Sequence, residues 1–169
     1  DTDGDGYVDK DGQKLSINWL TYPTRLEQPK LAEYAQATLK DIGIDVVVNN
    51  TSDHMTIAKS GDFDVYVSST TTAPTGDPEY FFTSTVTGAK NYGNYQNEEV
   101  TKLTDQLHQT FDKDERAKLA VELQQDILED DAFFFISHLN MGIVTKSNVT
   151  GMAAHPCDYY EITADLDVE

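Results

Sequence analysis

Leu31, Ala35, Leu39 and Ile42 recur at helical spacing and stop at Gly43, and the next residues, Ile44-Asp45-Val46-Val47-Val48, are rich in β-branched side chains. A helical period that ends on glycine and passes at once into such a run is a helix followed by a strand. Pro29 suits the first turn of that helix. Ahead of it, Leu15-Ser16-Ile17-Asn18-Trp19-Leu20 alternates as a strand does. Two strands joined through a helix form a β-α-β unit, for which parallel strands and a right-handed crossover are expected. That expectation sets the fold class as α/β, with helices packed on a mixed sheet.

A third strand is expected over Asp62–Ser68, where Phe63, Val65 and Val67 alternate with Asp64, Tyr66 and Ser68. It empties into Thr70-Thr71-Thr72-Ala73-Pro74-Thr75-Gly76-Asp77-Pro78, a loop of small hydroxylated residues. In open α/β sheets ligands sit beyond the carboxyl ends of the strands, so this loop is the first place to seek bound solute. Tyr80, Phe81 and Phe82 follow on a helical turn, and Tyr80 is a candidate lining residue.

Further on, Asn97 is the expected cap of a helix whose Val100, Leu103, Leu107 and Phe111 form one stripe. Asp112 and Glu115 make a capping-box-like start to the next helix, with Leu119, Ala120, Leu123, Ile127 and Leu128 as its buried face. Ala132 to Ile136 is wholly apolar and is expected to be a buried strand, which would place His138 at a strand end as a candidate ligand contact. Residues 141–144 are expected to continue extended. With 169 residues, 38% of them hydrophobic, the expectation is one domain with one core.

Asp1-Thr2-Asp3-Gly4-Asp5-Gly6 matches the first half of a Ca²⁺-binding loop, with Asp1, Asp3 and Asp5 as oxygen donors. Gly12 stands where the closing Glu belongs, so a solvated acidic turn is the competing expectation. His54, His108, His138 and His155 show no paired helical spacing, and Cys157 is the lone cysteine, which excludes an internal disulfide. There is no G-x-S-x-G elbow, glycine-rich phosphate loop or H-E-x-x-H, and no catalysis is expected. A net charge of −18 argues against nucleic acid and anionic membrane surfaces as partners. No apolar run reaches the roughly 18–20 residues that span a bilayer. The chain opens inside a loop, as a mature fragment or excised domain would.

Several blocks in order resemble the C-terminal part of bacterial extracytoplasmic solute-binding proteins of the peptide/nickel class (family 5) of ABC importers. They are Asp1–Gly12 leading to Leu15–Leu20, Leu39-Lys40-Asp41-Ile42-Gly43-Ile44, Gly61-Asp62-Phe63-Asp64-Val65 and Gly76-Asp77-Pro78. Then come Asn91 to Val100, and Asp114-Glu115-Arg116 through Ala132 to Ile136-Ser137-His138. The resemblance implies one lobe of a type II periplasmic-binding-protein-like clamshell. Residues 1–140 would be the C-terminal lobe, and 141–169 a terminal segment returning toward the first lobe. It implies a monomeric extracytoplasmic receptor, periplasmic or lipid-anchored, that hands a small solute to a membrane permease and needs no cofactor.

The run Thr70–Pro78 is most similar to the nickel-associated branch. Some nickel binders carry Trp and Tyr where this loop has Thr71 and Thr75 or Gly76, and residues 83–96 hold no His. The resemblance therefore implies capture of a preformed nickel chelate, with a di- or oligopeptide as the alternative, rather than ligation of bare metal. The implied ligand wall is Thr70, Thr71, Thr72, Pro74, Thr75, Gly76, Asp77 and Tyr80, with His138 auxiliary. A Ca²⁺-stabilised structural module is the reading from another class.

Overall fold

A computed structural model describes residues 1–70, 73, 75–140, 142–154 and 164–169. It divides into two compact units, Asp1–Ser69 and Thr70–Glu169. The single core expected from chain length is thus replaced by two, because the β-α-β sheet and the helical pair each bury their own apolar face.

In the first unit, β1 (Asp9–Lys10) and β2 (Gln13–Lys14) form a hairpin, followed by β3 (Ser16–Thr21), α1 (Glu27–Lys40), β4 (Asp45–Asn50), α2 (His54–Ser60) and β5 (Val65–Tyr66). The hairpin turns on Asp11 and Gly12, both at positive φ (53° and 75°), as a two-residue turn matching strand twist requires. β3 pairs parallel with β4 from Ser16↔Asp45 to Thr21↔Asn50, and parallel with β5 through Trp19↔Val65 and Leu20↔Tyr66. The predicted third strand is therefore short. Ahead of it, Asp64 is bonded twice to the Asn18 backbone: its amide donates to the Asn18 carbonyl, and its side-chain carboxylate, in place of a backbone carbonyl, accepts from the Asn18 amide.

The sheet order is β4-β3-β5, with α1 packed on β4 and β3. Leu20, Ala32, Val46, Ala58 and Val67 fill this core. The Gln36 amide reaches from α1 to the Val46 carbonyl at 2.6 Å. Ile42 was expected on the buried face of α1, yet the helix ends at Lys40 and Ile42 is exposed. Gly43 takes φ 79° where a Cβ would press on the Val8 amide at 3.2 Å, and its carbonyl accepts from that amide at 2.7 Å.

The second unit opens with α3 (Glu79–Phe81), which widens into a π-helical turn over Phe82–Val86. After the Asn-rich loop come α4 (Glu98–Gln109), α5 (Lys113–Glu129) and the antiparallel pair β6 (Val149–Thr150) and β7 (Asp167–Val168). Parallel and antiparallel pairing thus both occur in the chain. Phe82, Val86, Val100, Leu103, Leu107, Leu119, Ala120, Leu123 and Ile127 make one core, with Phe81, Tyr95 and Phe133 packed against it.

The predicted caps form: the Asn97 carboxamide oxygen accepts from Glu99 and Val100, and Asp112 from Asp114 and Glu115. Glu115 itself pairs with Lys118, so the reciprocal half of the capping box is replaced by an ion pair. Phe111 and Leu128 were expected inside but are exposed, Phe111 because α4 stops two residues before it.

The expected buried strand at Ala132–Ile136 is absent. The chain there is irregular, and Phe134 is 87% exposed, because no described strand lies alongside to take its hydrogen bonds. Of residues 141–144, Met141 lies outside the described residues and 142–144 form no strand. No helix among the described residues is long and apolar enough to cross a membrane.

Candidate functional site

The strand order sets which side chains meet at the carboxyl ends of the first unit's strands. From β3 the chain crosses to β4 on one side, then through α2 to β5 on the other. Such a reversal opens a crevice between the carboxyl ends of the two strands that flank it, here β3 and β5. Tyr22 follows the last residue of β3, Tyr66 ends β5, and His54 begins α2. The three rings converge there. His54 stacks on Tyr22 with ring centres 4.1 Å apart and planes 18° apart, and its Nδ1 lies 2.8 Å from the Tyr66 hydroxyl. Thr21 Oγ1, at the same strand end, is buried without a hydrogen-bond partner among the described residues. Trp19 Nε1, Glu27 Oε1 and Gln28 Oε1 are buried in the same way, so this feature does not single out the strand end. Sequence reasoning noted His54 only as an unpaired histidine and missed Tyr22 and Tyr66; the signal that finds them is strand order.

Past β5 the chain enters the hydroxyl-rich loop. Thr71, Thr72 and Pro74 lie outside the described residues, as do His155 and Cys157. Thr70, Thr75 and Gly76 are exposed, and the Gly76 amide closes a turn onto the Ala73 carbonyl at 2.9 Å with φ 72°.

Asp77 ends the loop and is held hard. Both its oxygens accept from Arg116 Nη2 (2.7 and 2.8 Å), and one also accepts from the Glu79 amide at 2.8 Å, which starts α3. The same Nη2 reaches Glu79 at 2.9 Å, and His108 Nδ1 lies 2.5 Å from the other Glu79 oxygen. Burial pushes the Asp77 carboxyl up, but the Glu79 amide and the Arg116 guanidinium outweigh it and hold the group below the usual carboxylate range. Glu79 is held low by His108 first and Arg116 second.

Tyr80 is partly exposed, with Lys90 Nζ 3.0 Å from its hydroxyl and 5.3 Å from its ring centre. His138 is exposed in irregular chain, so the strand end that was to present it is not formed.

At the amino end, the carboxylates of Asp1, Asp3 and Asp9 offer oxygens within 4.8 Å of one another. The predicted set named Asp5 in place of Asp9. Asp5 instead accepts from the Tyr7 amide at 2.9 Å, while the hairpin brings Asp9 back to Thr2, whose hydroxyl and amide each donate to it at 2.6 Å. Those two bonds, the hydroxyl first, lower the Asp9 pKa. Oxygen donors so grouped suit a hard divalent cation such as Ca²⁺.

A family model for bacterial extracellular solute-binding proteins, family 5 (middle), matches residues 1–93. The chain belongs to this family. Family 5 members among its relatives are binding proteins. It is 29% identical over 168 residues to the oligopeptide-binding protein AppA of Bacillus subtilis, covering 96% of this chain and 31% of AppA. It is 28% identical to the nickel-binding protein NikA of Staphylococcus aureus, covering 98% of this chain and 34% of NikA. The chain spans about a third of the length of these curated relatives. The crystal structure of S. aureus NikA in complex with Ni(L-His)2 superposes with a TM-score of 0.74 at 24% identity, over 99% of this chain and 36% of that one. The family 5 fold is thereby fixed as α/β, one lobe of a type II periplasmic-binding-protein-like clamshell.

Proposed function

We propose that this family 5 chain is the solute-binding portion of an extracytoplasmic receptor for a bacterial ABC importer, and that the solute is nickel carried as a chelate. One observation supports the chelate over a peptide. A peptide's amino terminus calls for a carboxylate with its charge to offer, and Asp77, the sole acidic residue between Thr70 and Pro78, already has its charge paired with Arg116 at 2.7 and 2.8 Å. What the loop offers a solute is hydroxyl and backbone groups on Thr70–Gly76, with Tyr80 beside them and His138 as an auxiliary contact. A metal already wrapped by small-molecule donors needs such hydrogen bonds rather than new ligands from the protein. No catalytic step is assigned, and the receptor would pass its solute to a membrane permease from a periplasmic or lipid-anchored position.

The likeness to AppA supports a second reading, a di- or oligopeptide solute. Mass spectrometry and metal analysis of the full-length protein purified from cells separate the two. Nickel with a small chelator is the expected content, and a peptide without nickel overturns the nickel reading.

A further inference from the structure

We infer that Arg116 is the positioning residue of the ligand wall, fixing the end of the Thr70–Asp77 loop from a helix 39 residues away in sequence. The inference rests on the solute-binding reading above.

Arg116 lies in the first turn of α5, with its side chain 15% exposed. One arm of its guanidinium, Nη1, donates to the Leu107 and Thr110 carbonyls at 2.7 and 2.6 Å. These carbonyls belong to the end of α4, where the i→i−4 ladder runs out; Leu107 also accepts from the Thr110 amide at 3.2 Å. The other arm, Nη2, holds Asp77 through both oxygens and Glu79 through one. A single planar fork thus joins the two main helices of the unit to both residues flanking Pro78. Because Asp77 and Glu79 are fixed, so are the direction in which Gly76 delivers the loop and the side on which Tyr80 leaves α3.

Lysine cannot substitute. Its ammonium is a point charge with three donors in a cone, and it cannot face carbonyls on one edge and carboxylates on another. Within the loop the Gly76 amide closes a turn on the Ala73 carbonyl, and Arg116 anchors the residue that follows. A binding wall of this make gains affinity from being held in place before the solute arrives. Arg116 does that holding without needing to touch the solute.

The test uses the full-length protein, with nickel(II) mixed with L-histidine and the dipeptide Ala-Ala as probes in calorimetry. Arg116→Lys and Asp77→Asn are compared with Leu123→Val, which trims the core under the same helix, α5, and removes none of the Arg116 bonds. Arg116→Lys should weaken binding of the probe that wild type accepts by about tenfold, a loss of about 1.4 kcal/mol. Asp77→Asn should weaken it too, and the double variant should lose no more than Arg116→Lys alone, since both break one linkage. Leu123→Val should lower the melting temperature while keeping wild-type affinity.

Arg116→Lys or Asp77→Asn binding as wild type does would overturn the inference and leave the functional reading standing. Equal loss of affinity in Leu123→Val would also overturn it, because general loosening would then suffice. Wild type that binds neither probe overturns the functional reading, and this inference with it. If Arg116→Lys fails to fold, Asp77→Asn decides alone, because in that variant Arg116 keeps both carbonyls and Glu79.

Discussion

Asn97 carries two duties with one side chain. Its carboxamide oxygen caps α4 by accepting from the Glu99 and Val100 amides, while its nitrogen donates to Asp130 at 2.7 Å, at the far end of α5. Tyr95 donates its hydroxyl to the same Asp130 oxygen at 2.5 Å. Asn97→Asp keeps a good cap but sets a second carboxylate against Asp130, so it should destabilise as Asn97→Ala does, by about 0.5–2 kcal/mol in chemical denaturation. Burial, then Asp130, raises the Tyr95 phenol to about 12, which keeps its proton through the range where ordinary tyrosines titrate. Gly88 is a second such position. A Cβ there would fall 1.9 Å from the Thr83 carbonyl oxygen, where backbone must move. Gly88→Ala should therefore shift the π-helical turn and cost at least about 1 kcal/mol, read as a lower denaturation midpoint. The caps at Asn97 and Asp112 were legible in the sequence because a cap is made by neighbours along the chain. Arg116 was not, since nothing near it in sequence announces Asp77.

Among the elements, the salt-linked junction of α3, α4 and α5 has a definite pH signature. Asp77 and Glu79 both have folded pKa values depressed below 3.8 and 4.5, the values of the free groups. A depressed carboxylate stabilises the fold above its unfolded pKa and loses that contribution as pH falls through the folded one. The melting-temperature gap between wild type and Arg116→Lys should be full near neutral pH and close progressively below about pH 4.5. A gap unchanged into strong acid would show that these carboxylates do not supply it. Elements also mark where sequence periodicity stops being informative. Ile42 and Phe111 continue the apolar rhythm of their helices but lie just beyond the last helical residue, because the chain turns away there. Periodicity shows which face of a helix is apolar and says little about where the helix ends. Likewise the ring cluster of Tyr22, His54 and Tyr66 needs the order β4-β3-β5, which comes from pairing between distant strands.

At the scale of the whole molecule, two cores replace the one that length suggested. Val46 and Leu123 are each almost wholly buried, one in each unit. Leu123→Ala, with a cost of about 2–5 kcal/mol, should speed amide exchange through α4 and α5 and leave β3 and β4 unchanged. Val46→Ala should do the reverse. Acceleration throughout the chain in either variant would mean that the units open together.

The run after α5 sets a further property. Phe134, Phe135, Ile136 and Leu139 stand exposed on a chain whose net charge is −18. These two features pull colloidal behaviour in opposite directions. Mutual repulsion keeps particles apart in dilute buffer, and salt shortens its reach to about 10 Å at 0.1 M. The exposed faces of Phe134 and Phe135 are then free to meet those of other copies. Light scattering of this chain should stay that of dispersed particles in low salt and grow as sodium chloride is added. Replacing Phe134 and Phe135 by serine should abolish that growth.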